Sequence, residues 1–135
     1  MNWPYFIINT DDPPRRDNIV DIMAFKYLEK ALSYIEAPDI PDLMLFDADG
    51  WQLELVVRKG LPPLPFWRFQ PSSYRVWDDV AIGKDKYFRP NFLREILLHR
   101  PRYASLASKT SLSELMNFIR NDFEKQKPGC AKIDL

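Results

Sequence analysis

The sequence predicts an α+β fold, with an antiparallel sheet of about four to five strands and helices packed on one face. Three observations lead to this prediction. A hairpin pattern occupies residues 43–57, short turns join the apolar segments in the middle of the chain, and helical patterns lie before and after these strands. Strands joined by short turns are antiparallel, because a parallel crossover needs a dozen or more residues. We expect a single domain over residues 1–135, with a frayed tail at 128–135.

The hairpin from Leu43 to Val57 is the clearest strand pattern in the sequence. Two apolar runs flank a turn in which Asp47 and Asp49 favour side-chain to backbone bonds and Gly50 supplies a residue with positive φ. Beyond the turn, apolar residues recur with a period of two, at Trp51, Leu53, Leu55 and Val57. This alternation predicts a strand with one buried face and one polar face.

One strand and one helix are expected before the hairpin. Trp3 to Asn9 is an aromatic and β-branched run, which predicts the first strand. After a loop that contains two prolines, Asp17 is a candidate N-cap, and apolar residues at steps of three or four predict a helix from there to about Glu36. The prolines between Ala37 and Asp42 end that helix and lead the chain into the hairpin.

Two aromatic segments follow the hairpin, Phe66 to Phe69 and Tyr74 to Trp77. Four residues separate them, and this spacing predicts a second hairpin. The next stretch, Val80 to Pro90, is ambiguous between strand and loop.

The last third of the chain predicts two helices. Asn91 to His99 has helical character and is closed by Pro101. Ser111 followed by Glu114 has the form of a capping box, and the apolar residues after it recur on one helical face until the chain approaches Pro128.

Composition limits the functional classes. A content of 46% hydrophobic and 28% charged residues is typical of a globular protein. No apolar run reaches the roughly 18 residues that span a bilayer, and the N-terminus lacks the pattern of a secretory signal. The single cysteine, Cys130, and the absence of a zinc-ligand spacing predict neither disulfides nor a metal site. We therefore expect a cytoplasmic protein with no cofactor and no membrane association.

Charge is unevenly distributed along the chain although the formal net charge is zero. Up to Val57 there are eleven acidic side chains against four basic ones, and from Arg58 onward there are fifteen basic against eight acidic. Folding can interleave the two halves, or it can leave an acidic surface that attracts a basic partner. The sequence pI of about 6.6 argues against nucleic acid as the partner of the whole chain.

The turn of the hairpin also carries an enzyme-like motif. LMLFDADG resembles the first motif of haloacid-dehalogenase-type phosphotransferases. That resemblance implies Asp47 as nucleophile and Asp49 as general acid/base, with Mg²⁺ between carboxylate and phosphate. The same residues also suit a hairpin turn, and the strand-like alternation after Trp51 favours the turn over the loop and helix of that family.

Two other groups of residues are candidates for chemistry or binding. His99 is the only histidine, so a histidine-dependent triad would have to combine it with Ser105, Ser108, Thr110 or Cys130; its position at a helix C-terminus favours a surface role instead. Trp67, Phe69, Tyr74 and Trp77 alternate with arginines, as in a stacking platform for single-stranded nucleic acid. A hairpin with one buried face produces the same alternation.

Over about half of its length the chain resembles small bacterial immunity proteins of polymorphic-toxin and contact-dependent growth inhibition systems. The resemblance lies in the hairpin FDADGWQLEL after KYLEKALSYIEAPDI and in the closing segment SLSELMNFIRNDF. It implies a cytoplasmic, cofactor-free protein without enzymatic activity that binds a cognate toxin domain and blocks it. The alternatives are a non-catalytic adaptor or subunit of another complex, and a small Mg²⁺-dependent hydrolase that uses Asp47 and Asp49.

A nuclease toxin is basic around its substrate groove, so carboxylates on an inhibitor would increase its association rate and affinity. The acidic first half of the chain offers six aspartates in predicted loops, where side chains can project toward a partner. We predict these as the partner-binding residues: Asp11, Asp12, Asp39, Asp42, Asp47 and Asp49.

Overall fold

The computed structural model describes residues 2–10, 19–58, 79–126 and 131–135. The described residues form six β-strands and three α-helices: β1 Tyr5–Thr10, β2 Ile19–Phe25, α1 Leu28–Tyr34, β3 Leu43–Phe46, β4 Trp51–Arg58, β5 Asp79–Phe88, α2 Pro90–Leu98, α3 Leu112–Lys125 and β6 Lys132–Asp134. Two 3₁₀ helices, Ala37–Asp42 and Pro101–Tyr103, lie between these elements.

The strands form one sheet in the order β5-β4-β3-β1-β2-β6, and every neighbouring pair is antiparallel. The α+β class and the antiparallel sheet predicted from the sequence are confirmed. The sheet has six described strands where four to five were expected. The sequence predicted β1, β3 and β4, left β5 ambiguous and did not predict β2 and β6.

Helices cover both faces of the sheet, which corrects the expectation of helices on one face. On one face, α2 and α3 pack on the side chains of Phe6, Ile8 and Phe46. On the other face, α1 and the 3₁₀ helix Ala37–Asp42 pack on a second cluster that includes Ile7 and Leu45. The central strands are therefore buried on both sides, and their apolar residues run consecutively instead of alternating.

This double burial explains why the helix predicted from Asp17 to Glu36 is wrong. Ile19–Phe25 is strand β2, and the helix is confined to Leu28–Tyr34. Four consecutive residues of β2, Ile22 to Phe25, are almost fully buried, since each face of the strand contacts a helical layer. A buried strand that runs directly into a short helix imitates one long helical period.

The frayed tail predicted for 128–135 needs correction over 131–135, the part of it that the structure describes. Residues 132–134 form β6, which pairs with β2 through the register Ala24 with Ile133. Ile133 is 5% exposed, and the backbone N–H of Leu135 donates to the carbonyl of Ile22 at 2.9 Å. Burial of one large side chain and closure of a sheet edge hold this short segment in place.

Several other predictions are confirmed. The first strand, the hairpin and the helix predicted at Asn91 to His99 all form within a few residues of their expected bounds. The hydroxyl of Ser111 accepts a hydrogen bond from the backbone N–H of Glu114, as expected for the N-cap of α3. The stretch from Val80 to Pro90, which the sequence left open between strand and loop, lies mainly in strand β5.

The predicted aromatic hairpin at 66–77, the candidate N-cap Asp17 and the loop with two prolines that precedes it lie outside the described residues. Within the described ranges, no helix has the length and apolar character required to cross a bilayer.

The two helical layers keep part of the charge difference between the halves of the chain. Residues 26–42, which contain α1 and the 3₁₀ helix, carry four acidic and two basic side chains. Residues 90–126, which contain α2 and α3, carry six basic and four acidic ones. The two helical layers therefore have opposite charge tendencies.

Candidate functional site

Asp47 is built into the turn between β3 and β4. Its Oδ1 accepts hydrogen bonds from the backbone N–H groups of Asp49 at 2.9 Å and Trp51 at 3.0 Å. Gly50 has φ of 95°, and a Cβ there would overlap the backbone of Pro90 at the start of α2. The turn is thus fixed from inside by Asp47 and from outside by the packing of Gly50.

Burial raises the pKa of the Asp47 carboxyl, although the hydrogen bonds from Trp51 and Asp49 act in the opposite direction. The side chain is only 1% exposed, so it offers almost no surface to a substrate or a partner. Asp49 is exposed, and both of its carboxylate oxygens accept from the side-chain amide of Asn2, at 3.2 and 3.0 Å.

The setting implied by the phosphotransferase resemblance differs from the observed one. The motif is followed by β4, which returns antiparallel to β3, whereas a βαβ crossover was implied. Within the part of the chain that the structure describes, no three His, Cys, Asp or Glu side chains come together in a group that could hold a metal ion. Asp47 and Asp49 therefore form a turn whose hydrogen bonds are all with neighbouring protein groups.

The six predicted partner-binding aspartates do not form one described patch. Asp39 and Asp42 lie on the 3₁₀ helix that precedes β3, whereas Asp47 and Asp49 follow β3. A strand of four residues separates its ends by roughly 13 Å at about 3.3 Å per residue. Asp11 and Asp12 lie outside the described residues. Partner binding by this set stays a prediction, and only Asp39 and Asp42 share one element.

Among the described residues, the His99 ring forms no hydrogen bond with Ser105, Ser108 or Thr110. The ring lies against its own helix, with Nδ1 2.6 Å from the carbonyl oxygen of Glu95. The carbonyls of Ser108 and Thr110 instead accept hydrogen bonds from the guanidinium of Arg94. Cys130 and the four aromatic residues proposed for nucleic-acid stacking lie outside the described residues.

A cleft that the sequence did not indicate opens where β3 and β4 separate. The two described strands pair only at Leu45 with Leu53 and at Phe46 with Gln52. Beyond that point β4 continues along β5, and the 3₁₀ helix Ala37–Asp42 lies against both β3 and β4. The resulting cleft has a volume of about 180 Å³. We call it the β3–β4 cleft, and its lining residues are Ile40, Leu43, Gln52, Leu53, Glu54, Leu55 and Tyr87.

A bulge in β5 fixes the polar side of the cleft. Leu53 pairs with Lys86 and Leu55 with Ile82, so three residues of β5 oppose Glu54 alone. The Glu54 carboxylate accepts from the backbone N–H of Asp85 at 2.9 Å and lies against Gly83, where any Cβ would collide with it.

Tyr87 is the exposed aromatic residue of the cleft. Its side chain is 58% exposed, and the next residue, Phe88, is 59% exposed and contacts Trp51 with ring centroids 4.7 Å apart. Large aromatic side chains at the surface are enriched in protein interfaces because they bury much area with little loss of rotamer entropy. The cleft and Tyr87 together therefore form a candidate binding site.

Sequence reasoning missed this site because its residues come from three separate segments. Ile40, Leu43 and Tyr87 meet only through the sheet, and none carries a motif. One sequence feature could have indicated the site. The stretch after Val80 ends in two aromatic residues, Tyr87 and Phe88, and recognising this stretch as a strand would have marked them as surface candidates.

Comparison with known proteins identifies no relative: no protein-family model, no curated protein and no solved structure matches this chain.

Proposed function

We propose that the protein is a cytoplasmic bacterial immunity protein, which binds a cognate toxin domain and neutralises it through protein–protein contact without enzymatic activity of its own. The observation that carries the proposal is the β3–β4 cleft with the exposed Tyr87 on its rim. The resemblance of the hairpin and of the closing helix to immunity proteins supplies the class of partner.

The size of the cleft favours a protein partner over a small metabolite. Its volume of about 180 Å³ is below the roughly 300–1,000 Å³ of most small-molecule sites. A cleft of this size suits a single side chain of a partner. Interfaces concentrate binding energy at such positions, where a side chain of one protein enters a pocket beside an aromatic residue of the other.

The charge of the adjoining layer supports a nuclease-type toxin. The cleft is lined on one side by Ile40 of the 3₁₀ helix, which belongs to the acidic face. Asp39 and Asp42 lie on the same short helix, next to the lining residue. A partner with a basic substrate groove would meet complementary charge there.

The proposal predicts a toxin gene beside the gene for this protein, and co-expression with the toxin domain encoded there tests the proposal. The wild-type protein is expected to restore growth of cells that produce the toxin domain. Tyr87→Ala is expected to weaken protection, whereas Tyr27→Ala, which removes a tyrosine that is 47% exposed and lies outside the cleft, should protect fully. Circular dichroism of both variants checks that they fold.

The outcomes separate the parts of the proposal. Failure of the wild-type protein to protect cells or to bind the toxin domain would refute the immunity function. Protection that Tyr87→Ala leaves intact would retain the function and refute the cleft as its binding site.

A further inference from the structure

The lining of the β3–β4 cleft divides into an apolar part and an oxygen-bearing part. Four aliphatic side chains supply the apolar part: Ile40, Leu43, Leu53 and Leu55. The oxygen-bearing part consists of Gln52, Glu54 and Tyr87, so the charged group in the lining is a carboxylate. A long side chain with an aliphatic stem and a cationic head matches this division.

On the side of the 3₁₀ helix, the charges beside the cleft have the same sign as its lining. Ile40 lies between Asp39 and Asp42, and neither of these carboxylates forms an ion pair with another described residue. The carboxylates of this rim are therefore available to a cation from outside the described chain.

The cations of the neighbouring strand have other partners. The Nζ atom of Lys86 lies 4.6 Å from the ring centroid of Trp51. The guanidinium of Arg89 donates to Gln52 Oε1 at 2.8 Å and lies 3.9 Å from the ring centroid of Phe92. Lys86, Arg89 and the third nearby cation, Lys84 of the β5 bulge, are all absent from the lining, so no basic side chain of the described residues stands in the cleft.

We infer that the β3–β4 cleft takes a lysine or arginine side chain of the protein partner, an inference that rests on the proposed function. The aliphatic stem of this side chain packs on Leu43, Leu53 and Leu55, and its head group meets the carboxylate of Glu54. Asp39, which precedes the lining residue Ile40 on the 3₁₀ helix, adds negative charge beside the cleft. An aliphatic side chain in the same place would remove the Glu54 carboxylate from water without a counter-charge, which is unfavourable. An acidic side chain would be repelled by both carboxylates.

Capped tripeptides test the inference without the toxin. The ¹⁵N-labelled full-length protein is titrated with acetyl-Gly-Arg-Gly-amide, with the norleucine peptide as a control for the stem and the glutamate peptide as a control for charge. The arginine peptide is expected to shift the backbone amide signals of Ile40, Leu43 and Leu55 with a dissociation constant on the order of millimolar, as expected for a single side chain.

Paired variants identify the carboxylates. Asp39→Asn combined with Glu54→Gln keeps the shape of both side chains, and is expected to weaken binding of the arginine peptide by at least about threefold. Glu29→Gln removes an exposed carboxylate of α1 outside the cleft and should leave the binding unchanged.

Shifts of equal size with the norleucine peptide, shifts at residues away from the cleft, or no shifts with the arginine peptide would each overturn the inference. The result is independent of the toxin experiment. Arginine binding without protection of cells would refute the immunity function alone, and protection without arginine binding would refute this inference alone.

Discussion

The carboxyl group of Asp47 holds the β3–β4 turn together from inside the protein. It accepts two backbone N–H groups while being almost fully buried, a position in which an acceptor is needed but a charge is unfavourable. Asparagine keeps the Oδ1 acceptor and removes the charge, whereas alanine removes both.

The two substitutions are therefore expected to have opposite effects on the free energy of unfolding. At neutral pH, Asp47→Ala should lower it by about 1–3 kcal/mol, because two buried N–H groups lose their acceptor. Asp47→Asn should raise it, because the isosteric amide avoids desolvation of a charge. Urea unfolding of both variants beside the wild type measures these differences.

The pH dependence of the free energy of unfolding follows from the direction in which the pKa of Asp47 is shifted. Because burial raises the pKa of Asp47 in the folded state, the neutral carboxyl favours folding at acid pH, and this contribution is lost as the pH rises through the folded-state pKa. The advantage of Asp47→Asn over the wild type should therefore shrink toward about pH 3, below the ordinary pKa of aspartate. An advantage that grows on acidification would contradict this account.

Gly50 is the second residue on which the turn depends. It has φ of 95°, and a Cβ atom at this position would lie 2.5 Å from Cα of Pro90. Gly50→Ala is expected to lower the free energy of unfolding by about 2 kcal/mol or more, from backbone strain and overlap together. Gly50→Asn tolerates the positive φ better. If thermal unfolding shows that asparagine restores most of the stability, the overlap with Pro90 is not the cause.

Among the secondary-structure elements, α3 is the one whose start a short sequence motif, the capping box, predicted. The capping box was readable from the sequence, and the bond from Glu114 N–H to Ser111 Oγ is present at 3.2 Å. Ser111→Ala should lower the free energy of unfolding by about 1 kcal/mol, since it removes an N-cap acceptor. Ser113→Ala, at an exposed position in the first turn, is the matched control and should be nearly neutral. Equal effects in denaturant titrations would refute the cap.

β6 shows the limit of local signals. Three residues near a run of lysine, proline and glycine have no pattern of their own, and they form a strand because β2 offers an edge and the core accepts Ile133. Ile133→Ala should lower the free energy of unfolding by about 2 kcal/mol or more, as for a buried aliphatic residue.

The exposed neighbour Asp134 provides a control for that substitution, because Asp134→Ala should change stability little. In the wild type, amide exchange should be slow at Lys26, whose N–H donates to the carbonyl of Ala131 at 2.9 Å, and at Ala24, which lies two residues before it on the same edge of β2. Rapid exchange there, or a neutral Ile133→Ala, would favour the frayed tail over the strand.

The same reasoning explains the error in the first helix. Ile22 and Phe25 fit a helical step, yet Met23 and Ala24 between them are equally buried, because helices pack on both sides of β2. Periodicity distinguishes a helix from a strand only when one face is polar. In the hairpin, polar Gln52 and Glu54 alternate with apolar Leu53 and Leu55, so one face of the segment is polar. The strand predicted there is confirmed.

At the scale of the whole molecule, the candidate site depends on where two strands part. The sequence alone predicted that aspartates lie in loops near both ends of β3. It gave no indication that β4 leaves β3 after Leu53, or that Ile40 and Tyr87 then face the same cleft. Contacts between segments more than thirty residues apart in the chain are set by the fold, so local patterns do not reveal them.

The most direct test of the proposed immunity function is isothermal titration calorimetry with the toxin domain that this function predicts to be encoded beside the gene. The proposed function predicts a stable complex with the wild-type protein. Tyr87→Ala should weaken this complex by at least about tenfold, as expected for an interface anchor, and Tyr27→Ala should leave its dissociation constant unchanged. No binding by the wild-type protein, or equal affinity for the wild-type protein and both variants, would contradict it.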